Sequence, residues 1–368
     1  MSKVIFYPLG NADCSLVQLN NGLTFVFDYA DMNDPEDRAD QRLPLAKHFK
    51  EDLGWPQRKY VDVLAFTHGD NDHVKRSSEM FWMNHAAKYQ DDERVKFTQM
   101  WVPAALIVEE GCEDETRIIR AEARHRFLSK DGILVFARPE HLKVWLEGQG
   151  KNLADYLHLI VDAGKLVPGY TLDAQGIEFF THSPFAKRVE DGVLDRNDNC
   201  LVMQATLKNG SRLTRFLITA DSTWDCWEDM VQATRQHGND ARLAWDIFKI
   251  PHHCSYLSMA AEKGDYTTKP TPEFEWLLAQ GTQRATMVSS SWAIPATTED
   301  QPPHVETHRR YRETANVLDA DLVVTMEHPS KNSPHRLVIN VDENGATLKR
   351  TITSASIAVT STRSPRVG

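Results

Sequence analysis

Val61-Asp62-Val63-Leu64-Ala65-Phe66-Thr67-His68-Gly69-Asp70-Asn71-Asp72-His73 is an apolar run that empties into a knot of ligand-type side chains. Its first half is rich in β-branched and aliphatic residues, the mark of a strand. Directly after it, His68, Asp70, Asp72 and His73 fall within six residues. A loop at the end of a rigid strand is where a scaffold presents chemistry. Imidazole and carboxylate together suit divalent metals. Alternate residues of such a loop point to two sides, so one short segment can serve two ions. Asp and Asn are also common turn residues, so Asp70 and Asn71 alone would mean only a polar turn. Four ligand-type side chains in six residues outweigh that reading.

Two later stretches repeat the pattern. Phe216-Leu217-Ile218-Thr219-Ala220 is an apolar run that ends in Asp221. Asp246-Ile247-Phe248-Lys249-Ile250 runs into Pro251-His252-His253-Cys254-Ser255. A single Asp after a strand is commonly a helix N-cap, and Asp221-Ser222-Thr223 fits that too. Three strand ends that each carry a ligand-type side chain are not explained by capping.

Other short apolar runs lie at 4–9, 23–28, 201–207, 215–219, 247–250, 285–288, 322–326 and 337–341. Most are bounded by turn residues and read as strands. Asn20-Asn21-Gly22 and Lys208-Asn209-Gly210 read as hairpin turns, because Asn and Gly tolerate positive φ. Segments near 78–89, 114–128, 140–148 and 152–163 read as helices. The expected organisation is therefore two strand-rich parts, 1–75 and 181–350, forming one domain. A helical insertion over 76–180 interrupts it, and a Ser/Thr/Arg-rich tail over 351–368 follows. Strand-rich halves with helices outside predict a layered α/β sandwich.

The 368 residues are 41% hydrophobic and 26% charged, which suits a globular chain with a sizeable core. The formal net charge of −10 argues against a broad basic surface for nucleic acid. It does not exclude a nuclease, because bound metal ions bring local positive charge. Cys14, Cys112, Cys200, Cys226 and Cys254 are odd in number and form no Cys-x-x-Cys pair. That argues against a disulfide framework and against a zinc ribbon. Residues 1–10 lack the exit of a signal peptide, and no run reaches the ~18 apolar residues of a membrane helix. The expectation is a cytoplasmic protein with no membrane contact; the sequence names no protein partner.

The motifs together resemble the metallo-β-lactamase superfamily, and within it the hydrolase domain of ComEC-type DNA-uptake proteins and their free-standing relatives. Gly10-Asn11-Ala12-Asp13-Cys14-Ser15-Leu16-Val17 is similar to that group's Gly-x-Gly-Asp-Ala stretch. Thr67 to His73 resembles its His-x-Asp-x-Asp-His motif. Asn199-Cys200-Leu201-Val202 resembles its Asn-Ser-Leu-Val strand, and Leu217 to Asp221 its Leu-Leu-Thr-Gly-Asp strand end. Lys249 to Ser255 resembles its Lys-x-x-His-His-Gly-Ser motif, and Pro303-His304 a later Pro-His pair. The order is the family's, and the motifs cover 1–75 and about 195–345.

The resemblance implies an αββα sandwich with two divalent metal ions (Mn2+ or Zn2+) at one edge. One ion would be held by His68, Asp70 and Asp221, with Asn199 nearby. The other would be held by Asp72, His73, Asp221 and His252, with Asp221 as the bridge. Asp72, His253 and His304 are the expected catalytic side chains, the two histidines either supporting the metal ligands or facing the substrate. Asp13 is either a supporting buried carboxylate or a structural one. Ala220 and Cys254 stand where the family has Gly, which predicts looser turns. Asp70 replaces the superfamily's second His, as in the ComEC group, and Asn199 replaces its lone mid-sequence His. More oxygen ligands shift preference from zinc toward manganese or magnesium.

The expected activity is metal-dependent hydrolysis of a phosphodiester, with nucleic acid or a nucleotide as substrate. Two ions about 3.5–4 Å apart can activate water and bear charge on a phosphoryl group. The alternative is a hydrolase of a small substrate that is not a nucleic acid: a lactam, a thioester or a phosphorylated metabolite, all hosted by one fold. A non-catalytic binding protein is a third class, and the intact ligand positions argue against it. Within 76–180, Phe81, Trp82, Trp101, Arg117, Arg120, Arg124 and Arg126 could grip phosphate and stack on bases. The plainer reading makes the aromatics core and pairs the arginines with Asp114, Glu115 and Glu122.

Overall fold

The computed structural model describes residues 1–186 and 195–349. The expected tail at 351–368 lies outside the described residues. In chain order the strands are β1 Ser2–Phe6, β2 Ser15–Gln18, β3 Thr24–Phe27, β4 Tyr60–Ala65, β5 Lys96–Pro103, β6 Ile133–Phe136, β7 Ile160–Val161, β8 Ile177–Ser183, β9 Val202–Asn209, β10 Arg212–Ile218, β11 Trp245–Lys249, β12 Gly281–Ser289, β13 Asp321–Val324, β14 Leu337–Asp342 and β15 Gly345–Leu348. They form two sheets. One has the order β15-β14-β1-β2-β3-β4-β5-β6-β7, the other β13-β12-β11-β10-β9-β8.

Side chains on a strand alternate between faces, and the alternation here builds three apolar layers. Val4 and Phe6 of β1 enter the layer between the sheets, while Ile5 packs on the opposite face. Val63 and Ala65, Phe216 and Ile218, Leu337, Ile339 and Val341 fill the same central layer. Outside the first sheet lie the helices Leu45–Leu53, Asp114–Ser129 and Glu140–Gly148. Outside the second lie Trp224–Gln236, Pro272–Leu278 and Val305–Leu318. Each helix buries one stripe: Leu45, Phe49 and Leu53 in the first, Trp227, Met230 and Val231 in the fourth. The result is a four-layer αββα sandwich, as the sequence implied.

The stretch 76–180 is not the helical insertion expected from sequence. It carries β5, β6 and β7, which extend the first sheet in parallel beyond β4, and the start of β8. Trp101, Leu134 and Phe136 lie in the central layer. The expected helix over 78–89 is only two short turns, Ser77–Met80 and Ala87–Tyr89, separated by an isolated bridge at Phe81. The expected helix over 152–163 is a 3-10 stretch, Leu153–Leu159, followed by β7. Phe81 and Trp101 are fully buried and belong to the core.

Strands β3 to β7 run parallel in one sheet, and β10 to β13 run parallel in the other. Parallel strands place all their carboxyl ends on one edge, where open α/β sheets hold ligands. Among the described residues no helix is long and apolar enough to cross a membrane.

Candidate metal centre

Five strand ends build the site. Asp28 follows β3, His68 follows β4, Asp221 follows β10, His252 and His253 follow β11, and Ser290 follows β12. Asp13 comes from the β1–β2 connection, where its N–H donates to Asp72 O at 2.9 Å. The motif loop turns through a short helix, Asn71–Val74. Gly69 is needed there for close approach: a Cβ would come 2.8 Å from Thr116 Cγ2, while the Thr116 hydroxyl donates to Gly69 O. The loop is thereby pressed against the helix Asp114–Ser129.

Asp13, His73, Asp221 and His253 each offer a ligand atom, and these atoms all lie within 4.8 Å of one another. All four residues are buried. His73 Nε2 is 3.4 Å from Asp221 Oδ1 and 3.7 Å from Asp13 Oδ2. His253 Nε2 is 3.2 Å from both Asp221 Oδ2 and Asp72 Oδ2. Asp221 therefore faces two imidazoles at once. His68 lies beside this group, its ring 3.9 Å from that of His73 and its Nε2 3.4 Å from Asp70 Oδ2.

The supporting contacts orient the histidines. Asp28 Oδ2 accepts from His73 Nδ1 at 2.9 Å and from the Thr67 hydroxyl at 2.7 Å, while its Oδ1 accepts from Thr67 N at 2.7 Å. Holding Nδ1–H in this way leaves Nε2 free to face the cluster. Ser290 O holds His253 Nδ1 at 2.7 Å with the same effect. Lys249, fully buried, reaches Asp13 Oδ2 at 2.6 Å.

Electrostatics show how strongly this pocket asks for positive charge. Burial alone would lower His253, yet the Asp221 carboxylate overcomes it and pushes the ring up to about 10. Burial opposes His73 too, and Asp221 and Asp28 drive it well above its ordinary value. For Asp221 burial works upward, but the two imidazoles pull it far below the usual carboxylate range. Burial would lower Lys249, and Asp13 raises it instead.

The donors fit divalent cations. Asp13 Oδ1, His68 Nε2, His73 Nε2, Asn199 Oδ1, Asp221 Oδ1 and His252 Nδ1 are buried without a hydrogen-bond partner. Buried polar atoms are rarely left so, and an unplaced ion is one of the standard explanations.

The structure places His68, Asp70, Asp72, His73 and Asp221 near one another, and it gives the two adjacent histidines different positions. His253, expected to support the ligands or face the substrate, joins the four-residue cluster. His252, expected as a ligand, lies beside it with its ring 6.4 Å from that of His253. His304, expected as a catalytic side chain, turns both ring nitrogens to backbone. Its Nδ1 accepts from Tyr256 N at 3.3 Å, and its Nε2 lies 3.4 Å from Asp300 O. That ring braces the 254–256 turn. Asn199 is buried and donates to Asp195 O. Asp13 belongs to the cluster itself.

The turns at Ala220 and Cys254 are also unlike the expectation of looseness. Ala220 has φ 51 and Cys254 φ 66, and His252 and His253 have φ 50 and 51. The left-handed backbone that glycine would take freely is kept by residues that carry a Cβ.

Sequence reasoning missed three contributors. Asp28 ends Phe25-Val26-Phe27 as Asp221 ends its own strand, so its signal was present. Arg196 and Glu109 carry none. Arg196 donates to Asp70 Oδ1 at 2.7 Å, to Gly69 O at 3.1 Å and to Glu109 Oε1 at 2.6 Å.

No family model matches the chain, and no curated protein matches it. Among solved structures, a protein from Parabacteroides distasonis ATCC 8503 named as a metal-dependent hydrolase is 9% identical, with 88% of this chain and 93% of that one covered, at a TM-score of 0.34. A diphosphatase from the PhnP family is 11% identical, with 84% of this chain and 80% of that one covered, at a TM-score of 0.33. The class B3 di-zinc metallo-β-lactamase LRA-12, from an Alaskan soil metagenome, shows 12% identity, 83% and 84% coverage and a TM-score of 0.31. Likeness at this level adds nothing to the chemistry read from the residues. That chemistry rests on an αββα sandwich whose two sheets together present a buried Asp and His cluster at their strand ends.

Proposed function

We propose that the protein is a metal-dependent hydrolase of phosphodiesters, with nucleic acid as its substrate class. The observation that carries this reading is the convergence of unpartnered buried atoms, His68 Nε2, His73 Nε2 and Asp221 Oδ1, from both sheets. One cation would be held by Asp72, His73, Asp221 and His253, with Asp13 alongside. A second would be held by His68, Asp70 and His252, with Asp221 reaching both. The donor set mixes carboxylate oxygen with imidazole nitrogen and suits manganese or zinc. When bound, such ions polarise a phosphoryl oxygen and activate water near neutral pH.

The chain's own residues prepare that chemistry. Asp28 and the Ser290 carbonyl fix the ring orientations of His73 and His253. Lys249 offsets the charge of Asp13, which keeps the carboxylate cluster from repelling itself apart. Burial lowers His252, which favours the neutral ring and its nitrogen lone pair. The phosphodiester preference is supported by the His-x-Asp-x-Asp-His pattern of residues 68–73.

The test is hydrolysis of bis-4-nitrophenyl phosphate and of labelled single- and double-stranded DNA with manganese. Wild type is compared with a His68→Ala, Asp72→Ala variant, and bound metal is counted in both. Cleavage should need both metal and motif. Turnover of a β-lactam or thioester, with every phosphodiester intact, would place the protein in the other hydrolase class.

A further inference from the structure

The helix Asp114–Ser129 is joined to the metal motif at its first turn, where Thr116 bonds Gly69. From there Arg117, Arg120 and Arg124 follow at spacings that share one helix side. They line a groove of about 450 Å3 together with His85, Ala86, Lys88, Tyr89, Ile118 and Ala121. The lining holds four permanent cations and no carboxylate, on a chain whose formal net charge is −10. Lys88 and Arg117 are exposed, and Arg117 makes no side-chain bond to another described residue.

Arg120 and Arg124 are held in place by backbone. Arg120 donates to Glu109 O, and Arg124 donates to Ile107 O at 2.7 Å. Their only carboxylate partner among the described residues is Glu110, 3.6 Å and 2.9 Å away, whose side chain is 75% exposed. The Arg120 and Arg124 side chains are themselves only 14% and 22% exposed, so it is the exposed Glu110 carboxylate that an incoming anion would displace. Glu109 also bonds Arg196, which bonds Asp70, so the groove and the metal motif share one chain of contacts. From Arg117 to Arg124 the helix rises about 10 Å, which matches about three stacked nucleotides of one strand. The Tyr89 ring in the lining is met by Lys88 Nζ at 4.7 Å and by the His85 ring at 5.4 Å, which fixes one of the cations at the groove wall.

We infer that this groove is a binding subsite for a nucleic-acid single strand that flanks the scissile phosphodiester, with Lys88, Arg117, Arg120 and Arg124 on its phosphates. The inference rests on the proposed hydrolase reading for its direction, but its test does not need cleavage.

The experiment is fluorescence anisotropy of a 5′-labelled 12-nucleotide single strand of DNA, in chelator to prevent cleavage, across a range of salt. A Lys88→Gln, Arg117→Gln variant should bind about tenfold more weakly and lose roughly one to two units of salt slope. Both side chains are exposed, so the fold is not at stake. Glu110→Gln should bind more tightly, because it removes the competing carboxylate. Turnover of bis-4-nitrophenyl phosphate should be unchanged in both variants, since that substrate is too short to reach the groove. Unchanged oligonucleotide affinity in both variants would overturn the subsite. So would a duplex of the same sequence that binds more tightly than the single strand. If no phosphodiester is cleaved but the anisotropy shifts as stated, the hydrolase reading falls and the groove stands.

Discussion

Arg196 Nη1 lies 2.7 Å from Asp70 Oδ1, and its Nη2 lies 2.6 Å from Glu109 Oε1, so one guanidinium pins a proposed metal ligand from outside. Burial alone would raise the Asp70 carboxyl. The nearby His68 imidazole and the Arg196 guanidinium overcome that and hold it well below the usual carboxylate range. A cation bound at Asp70 must share this carboxylate with a fixed positive charge. Arg196→Gln should therefore bind manganese severalfold more tightly in calorimetric titration. The side chains are 28% and 35% exposed, so the stability change should be only about 1 kcal/mol or less. Weaker manganese binding would show that Arg196 shapes the site rather than competing with the ion.

Asp28 is not among the proposed ligands, yet it holds His73 Nδ1 at 2.9 Å. Asp28→Asn should lower metal affinity about 10- to 100-fold, as measured by competition with a chelator. An unchanged affinity would remove Asp28 from the centre.

The Lys249–Asp13 pair is buried on both sides, with exposures of 3% and 1%. Lys249→Met leaves Asp13 without its partner and should cost about 3–5 kcal/mol in chemical denaturation. Adding Asp13→Asn to the same chain should recover part of the loss. A double variant as unstable as the sum of both singles would deny the coupling.

His182 reports on pH far from the metal centre. Its Nε2 lies 2.9 Å from Arg242 O, and burial lowers the ring to about 4 from 6.5. The unfolded chain then takes up a proton that the folded chain refuses. The stability is complete above pH 6.5 and declines as the pH falls toward about 4. The full effect is about 3 kcal/mol. His182→Gln should flatten that part of the stability–pH curve; an equally steep curve would assign the acid sensitivity elsewhere.

Ala220, with φ 51 and no exposure, carries strain that its neighbours must hold in place. Ala220→Val should cost about 1–3 kcal/mol, because a branched side chain fits neither the backbone nor the packing. Ala220→Gly should change stability by less than about 1 kcal/mol, since relief of strain and added chain entropy oppose each other. Thermal melts of the two variants separate these outcomes.

The strand ends that carry Asp221 and His68 were legible because an apolar run stops abruptly at a ligand-type residue. The parallel part of the first sheet was not. Parallel strands need long crossovers, so β5, β6 and β7 are separated by more helix than strand, and the whole stretch reads as helical. Lys96-Phe97-Thr98-Gln99-Met100-Trp101 also mixes polar and apolar residues too irregularly to declare β5. β2 is four residues long and gave no independent signal.

Within the site, composition told which residue types would meet but not how they would point. His252 and His253 are neighbours in sequence, and no spacing rule distinguishes them. Their left-handed backbone decides it, placing His253 Nε2 against Asp221 and Asp72. Arg196 lies 126 residues from Asp70, and nothing local marks a guanidinium as the partner of a carboxylate so distant.

The position of β1 between β2 and β14 has a consequence for how the chain is made. Ser2 pairs with Val341, so the first strand is completed by one of the last. At roughly 5–20 residues per second of synthesis, β1 waits many seconds for that neighbour. Meanwhile one edge of the nascent sheet is open, with its backbone groups unpaired beside Val4 and Phe6. A chain terminated before residue 337 would never close that edge, and would be left as a template for another copy of itself.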